Sequence, residues 1–433
     1  MLKLTKWLTP VFILVILVLV NLLPTMLNAQ TVKQLSLEDA YEFGRKNYPL
    51  IRQKDLVNKT AELTIANLQK GFLPQIAIAG QATYQSAVTE ILFPVPGFAV
   101  TPLSNDQYRL VSDISQMVYD GGVIKEQKNL QQLSSEVEQQ RIEVDLYKIK
   151  ERISNVYLSI LFLDEQLKQV DLIKTDLANG IKRIEAQVAN GTAFRSNISL
   201  LQAEMLDADQ RAIEIKATRN GFLQMLALFI NQPLTAETQL QTPAPFEIIS
   251  ANTAIARPEL QFYSSTDKFL SGQTELINAK NHPRVSLFLQ AGYGRPGLNF
   301  LKNEFDPYYV GGVRVNWTIG GYYTQKKEKE LVDVNRKMVD AQKDAFILTT
   351  KTSLVQQLAE IDRMQQLVNT DQEIIELRVK VKDAARAQLE NGVITANDYL
   401  LEVNAEDKAR RSYITHQLQL LQAKINYKTI SGN

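Results

Sequence analysis

The 433-residue chain carries few side chains that could do bond-making chemistry. Its two histidines, His282 and His416, lie far apart, and neither has a metal-ligand type one helical turn away. No metal centre is therefore expected. Cysteine is absent, which excludes disulfides, thiolate sites, cysteine nucleophiles and a lipid-modified N-terminal cysteine. No Ser-His-Asp grouping or nucleotide motif is present, and "GYGRPG" at Gly292 is not closely followed by a helix that could present its amides to phosphate. The carboxylates Asp398, Glu402 and Glu406 remain, spaced so that one helix face holds all three. Such a stripe attracts cations and does not by itself transfer protons. The helix dipole also favours acids in a first turn, which accounts for Asp398 without any function. Neither an enzyme nor a cofactor is expected.

The elements that hold these residues follow from composition. Lys plus Arg is 48 against 47 for Asp plus Glu. Without Lys3 and Lys6 the balance is 46 against 47, which gives a polyanion such as nucleic acid nothing to bind. Those two lysines open "MLKLTKWLTPVFILVILVLVNLLPTMLNAQ", whose basic head, apolar run from Val11 to Val20 and small Ala29 compose a secretory signal peptide over 1–29. Asn21 and Pro24 interrupt the run, which argues for cleavage near Ala29 over a membrane anchor. Stretches 122–189 and 321–390 contain almost no helix breakers and predict very long helices.

The plan is written twice, over 30–242 and 243–433. Pro49 and Pro258 are 209 positions apart, as are Pro74 and Pro283, and Gly121-Gly122 recurs 199 positions later as Gly320-Gly321. "AQVANGTAFRSN" at 186 is echoed 201 positions later by "AQLENGVITAND". Offsets that change only across loops indicate duplication. The extra residues of the first copy fall in "ILFPVPGFAVTPLSN".

In the helix over 122–189, apolar residues from Leu146 and Ile149 through Ile160, Val170, Ile173 and Ile184 to Val188 step by three and four. A seam this narrow and this long means coiled-coil packing along a rod of about 100 Å. Leu331, Val334, Met338, Ala341, Ala345 and Leu348 supply a less regular seam in the second copy. Return helices are expected over 195–230 and 396–430. Four short segments alternate with period two instead, at about 75–84, 107–119, 284–293 and 308–319. One face of each is apolar and carries Tyr84, Tyr108, Tyr293, Tyr309 or Trp317, and the other carries polar groups including Arg109, Asp113, Arg284 and Arg314. Apolar outward, polar inward and aromatic at the interfaces is the pattern of a transmembrane barrel. A small soluble sheet would also alternate, but would bury those charges unpaired. Four strands cannot enclose a lumen, so several chains must contribute: two give eight strands, and three give twelve with room for a channel.

From about Ser36 to Ile430 the chain resembles the TolC-like outer membrane efflux proteins. The resemblance rests on the duplicated plan, "SLEDAYEFGRKNYPLI", the Gly-Gly helix entries, and the Asn-Gly turns followed by "SNISLLQAE" and "NDYLLEVNAE". It implies an α+β membrane protein in the Gram-negative outer membrane, a homotrimer with a 12-stranded barrel among outer membrane lipid and a helical tunnel crossing the periplasm. It further implies docking to a periplasmic adaptor and, through it, to an RND or ABC transporter of the inner membrane. On that likeness Asn190, Gly191, Thr192 and Ala193, with Asn391, Gly392, Val393 and Ile394, are adaptor-contacting tips. Asp398, with Glu402 beyond it, is expected at the acidic ring of the channel constriction. Asn197 replaces an acid common in the family and Leu401 a second one, so three chains would supply a ring of only three Asp398 carboxylates. The function expected is passive conduction through the exit duct of a tripartite efflux or type I secretion system. The alternative is a structural coiled-coil envelope protein without channel activity.

Overall fold

The computed structural model describes residues 34–89, 102–244 and 254–432. The signal-peptide segment 1–29 and most of the long first-copy loop lie outside the described residues. In chain order the elements are β1 (Gln34–Leu35), α1 (Leu37–Asn47), α2 (Ile51–Gln69), β2 (Gln75–Tyr84), β3 (Asp106–Tyr119), α3 (Val123–Ala189) and α4 (Arg195–Ile230). They continue as β4 (Gln239–Leu240), α5 (Pro258–Lys280), β5 (Arg284–Arg295), β6 (Asp306–Asn316), α6 (Gly321–Glu390) and α7 (Ala396–Ser431). Helix, two strands, a helix of 67 or 70 residues and a return helix of 36 thus occur twice in succession. The described residues form two compact units, one from 34–47, 153–244 and 368–418, the other from 48–89, 102–152, 254–367 and 419–432.

The first unit is built on the seam of α3. Ile153, Ile160, Ile173, Leu177 and Ile184 are buried, as the three-four spacing requires. Ile173, Leu177 and Ile184 pack with Leu201 of α4, Ala385 and Leu389 of α6, and Tyr399, Leu400 and Val403 of α7. The short strands β1 and β4 pair in parallel, Gln34 with Gln239 and Leu35 with Leu240. The hydroxyl of Tyr157 on α3 reaches both, 2.7 Å from the Leu35 carbonyl and 2.6 Å from that of Gln241. Burial raises its pKa far above the usual phenol range, so it stays a donor. The guanidinium of Arg219 ties α4 to the same corner, donating to Asp164 and to the carbonyls of Ala236 and Thr238 at 2.9 and 3.0 Å.

The second unit carries a four-stranded antiparallel sheet in the order β2-β3-β5-β6. Its helices pack through Leu270 of α5 against Val332 and Val339 of α6. Here the structure corrects the expected second seam. Leu331, Val334, Met338 and Leu348 are all exposed, whereas Val332 and Val339, one position along, are buried. α6 therefore has two apolar stripes, one turned to its own chain and one left uncovered. Sequence spacing alone could not say which was which, since both obey the same period.

The two glycine pairs at the strand-to-helix corners do different work. Gly121 and Gly122 have φ of 76° and 88°, a region costly to any residue with a Cβ. The carboxylate of Asp120 then caps α3 by accepting from the amides of Gly122 and Ile124. In the second copy Gly321 gives room to a side chain: a Cβ there would lie 2.1 Å from Oδ1 of Asn281, which would have to turn away.

Candidate functional site

The sheet register settles which side chains share a face, because directly paired residues point the same way. Ile76 pairs with Ile114, Gly80 with Leu110 and Ala82 with Tyr108. Ile114 in turn pairs with Leu289, and Leu110 with Tyr293. Leu287 pairs with Val313, and Ala291 with Tyr309. One predominantly apolar face therefore spans all four strands, interrupted on β3 by Ser112 and Gln116 and at one end by Arg295 and Asp106. It is also bare in the single chain: Ile78 is 74% exposed, Val313 62% and Tyr309 77%. An apolar face of this extent on an otherwise charged protein marks contact with lipid or another chain. The opposite face carries Gln75, Gln81, Arg109, Asp113, Gln290, Arg284 and Arg314, with Phe288 and Tyr308 among them.

Tyr84, Tyr108, Tyr293 and Tyr309 all fall on the apolar face, in adjoining rows at one end of the sheet. Two partners there were not singled out from the sequence. Phe305 stacks on Tyr293 at 5.6 Å, and Arg295 lies over the Tyr108 ring at 5.5 Å while paired to Asp106. Phe305 sits just before β6, where alternation gives no signal. Trp317 is placed differently from expectation. β6 ends at Asn316, not 319, because its last ladder pair is Arg284 with Asn316, where β5 begins just after Pro283. Trp317 lies beyond the strand and donates its indole N–H to the Asn281 carbonyl at 3.0 Å.

The two Asn-Gly turns are alike to the hydrogen bond. In the first, Thr192 N–H donates to the Gln187 carbonyl at 2.8 Å and Gly191 N–H to Val188 at 3.1 Å. In the second, Val393 N–H donates to Gln388 at 2.9 Å and Gly392 N–H to Leu389 at 3.1 Å. Both glycines have φ of 71°. This is the Schellman closure, which consumes the orphan carbonyls of a helix end and asks for a left-handed residue at that point. The turns are also tied together: Gln187 donates to the carbonyls of Leu389 and Glu390 at 3.1 and 3.3 Å, and Arg183 pairs with Glu390. Asn391 turns its amide back on Ala387 at 2.8 Å. Ala193 and Ile394 pack partly against the core cluster, whereas Val393 is 71% exposed and Phe194, after the first turn, 79%. Phe194 was not among the expected tip residues. Asn-Gly spacing drew attention to the glycines, and an aromatic at a helix start carries no signal of its own.

Asp398 is exposed and works locally. Its Oδ2 accepts from the hydroxyl and amide of Thr395, at 2.7 and 3.0 Å, while Asp398 N–H donates back to the Thr395 hydroxyl. That reciprocal pair is a capping box. The Thr395 hydrogen bonds hold the carboxyl below the usual range. The first copy has no counterpart: Phe194 stands at the cap position without a side-chain bond, and Asn197 three residues on. Glu402 is partly exposed, 3.4 Å from Arg378. The acidic stripe stops there, because Glu406 is buried and held between Lys382 at 2.6 Å and Arg410 at 2.7 Å. Lys382 also reaches Asp176 on α3 at 2.7 Å. Among the described residues no group of His, Asp and Glu could hold a metal ion. None of the described helices is long and apolar enough to cross a membrane.

No family model matches the sequence. No curated protein matches it either. Solved structures do match. The outer membrane protein VceC from Vibrio cholerae is 15% identical, with 92% of this chain and 96% of that one covered at a TM-score of 0.65. CusC, described by its transmembrane channel formation, is 12% identical, covering 92% of each chain at 0.67. The CmeC outer membrane channel of Campylobacter jejuni is 12% identical over 92% of this chain and 85% of that one, at 0.63. With near-complete coverage in both directions, a doubled plan of paired strands and long helical hairpins, and one apolar sheet face, this chain has the fold of the TolC-like outer membrane channels.

Proposed function

We propose that the chain is the outer membrane exit duct of a tripartite efflux or type I secretion system, conducting solutes passively. The observation that carries this reading is the sheet: four strands with one bare apolar face, a charged opposite face, and β2 and β6 at its two ends. In lipid an open ladder is untenable, so the edges of one chain must pair with those of others until the wall closes. Three copies give twelve strands and a water-filled bore. The uncovered stripe on α6 from Leu331 to Leu348 supports the same assembly, since it offers a second seam for a neighbouring copy.

The paired turns are the part of the duct that meets a periplasmic adaptor. Gly191 and Gly392 have no atom within 4 Å of a hypothetical Cβ, which leaves room for another backbone to approach, and Phe194 and Val393 offer apolar contacts. An inner-membrane transporter of RND or ABC type supplies the energy. Asp398 lines the entrance as a ring of one carboxylate per chain. A structural envelope protein without a channel is the competing reading, and it gives the apolar sheet face no role.

The test is migration on a gel with and without boiling, followed by conductance in planar bilayers. The duct reading expects a heat-modifiable oligomer in the outer membrane fraction and discrete conductance steps. It also expects D398N to lower cation preference or the block by multivalent cations. A water-soluble monomer without conductance would refute the duct, and D398N without effect would refute the acidic ring.

A further inference from the structure

The charged face of the sheet is not evenly charged. The row where β5 begins holds Arg284 beside Asn316. The next holds Met117, Ser286 and Arg314, and the one after that Gln75, Ser115, Phe288 and Gly312. Three successive rows thus contain two arginines and no carboxylate. The first acid on this face is Asp113, one row further, and it already accepts from the Gln290 amide at 2.8 Å. Arg284 and Arg314 are diagonal neighbours on adjacent strands, roughly 7–8 Å apart at the backbone. Among the described residues neither guanidinium has a carboxylate partner. Arg314 lies instead over the Phe288 ring, 4.7 Å from its centroid, where Gly312 leaves the ring free of a facing side chain. Both arginines are exposed.

Two like charges held this close without a counter-ion repel each other, and an anion between them removes the cost. The planar forks present several N–H donors to carboxylate, sulfate or phosphate oxygens, and the Phe288 ring adds an apolar shelf beside them. We infer that Arg284 and Arg314, with Phe288, form an anion-selecting band in the wall of the duct, and that anionic amphiphilic solutes are the class it favours. The inference rests on the duct reading, which places this face on the bore. Its sign is opposite to that of Asp398, so the two charged sites act on different ions.

In water a single charge changes the local concentration of a monovalent anion about 6 Å away by roughly threefold, so two charges give about tenfold and a trivalent probe more. The test uses the full chain in planar bilayers at low ionic strength, with inorganic tripolyphosphate added to one side and then the other. Wild-type current is expected to be blocked from one side, and R284Q/R314Q to need at least about tenfold more tripolyphosphate. Steps that remain equally sensitive in R284Q/R314Q would overturn the band while leaving the duct intact. Assembled protein that gives no conductance in any variant would overturn the duct and the band together. Should the double variant fail to assemble, R314K and R314Q replace it: block must persist in the first and weaken in the second, and equal block in both overturns the band.

Discussion

Lys382→Met removes the one cation shared by two carboxylates on two other helices. In the wild type Nζ of Lys382 lies 2.7 Å from Asp176 on α3 and 2.6 Å from Glu406 on α7. Burial disfavours the lysine charge, and the hydrogen bonds it donates to Asp176 and Glu406 more than offset this, so its pKa is raised. Breaking a buried pair by removing one partner typically costs 3–5 kcal/mol, because the other charge is left stranded. Two features reduce that here. Glu406 keeps Arg410, and the Asp176 side chain is 34% exposed and can be rehydrated. We therefore expect a loss of about 2–3 kcal/mol in the local stability of the α6–α7 pairing. Since the effect is local opening, the assay is amide hydrogen exchange and not a global midpoint. Protected amides around 378–410 should exchange roughly 30- to 150-fold faster, with the sheet unaffected. The sign with pH follows from the raised pKa. The lysine's contribution is complete below the ordinary lysine value and is lost only as pH rises through the higher folded value. The difference from wild type should therefore be flat between about pH 6 and about pH 9. Exchange that changes less than about twofold in α6 and α7, or equally in the sheet, would refute the reasoning.

Two further outcomes are expected. Thr395→Ala removes the hydroxyl bond that, with the amide of the same residue, depresses Asp398, so the carboxyl pKa should rise toward its ordinary value in a carbon-detected NMR titration; an unmoved titration would rule out the capping box as the cause. Because the folded pKa is lowered, this bond supports the start of α7 above the ordinary carboxylate range and is lost as pH falls through the folded value. Gly294→Ala would place a Cβ 2.6 Å from the Tyr108 backbone carbonyl oxygen, which cannot swing aside, and should lower the melting of the strand circular-dichroism signal in detergent, at a cost of about 1–3 kcal/mol. Gly392→Ala meets no atom within 4 Å, and the strain of its φ of 71° falls on the helix turn, so that strand transition should be unmoved; equal shifts would contradict the assignment.

The architecture was legible because its signals are local and repeated. Period-two alternation predicted four strands, and each is present within two or three residues at its ends. Narrow three-four spacing predicted the seam of α3, most of whose members are buried, with Leu167, Ile181 and Val188 partly so. The Asn-Gly pairs marked helix ends whose hydrogen bonds match in both copies. What escaped was decided by partners distant in the chain. Both stripes of α6 share one period, and only the position of Leu270 makes Val332 and Val339 the inner one. Glu406 read as part of an exposed stripe because nothing near it in sequence names Lys382, and nothing near Lys382 names Asp176. Trp317 left the strand because the partner strand ran out, which the sequence of β6 cannot reveal. The capping role of Asp398 did have a local signal, the Thr-x-x-Asp spacing from Thr395, which lay beneath the more conspicuous acidic stripe.

The positions of β2 and β6 at the ends of the sheet bear on how the protein is made. A single chain presents two rows of unanswered amides and carbonyls together with a largely apolar exposed face. Such a species is a template for misassociation, and its danger grows with the time it spends alone. For the proposed duct, finding sister subunits and entering the bilayer are therefore one event, and slowing either should send the chain to proteases or precipitate.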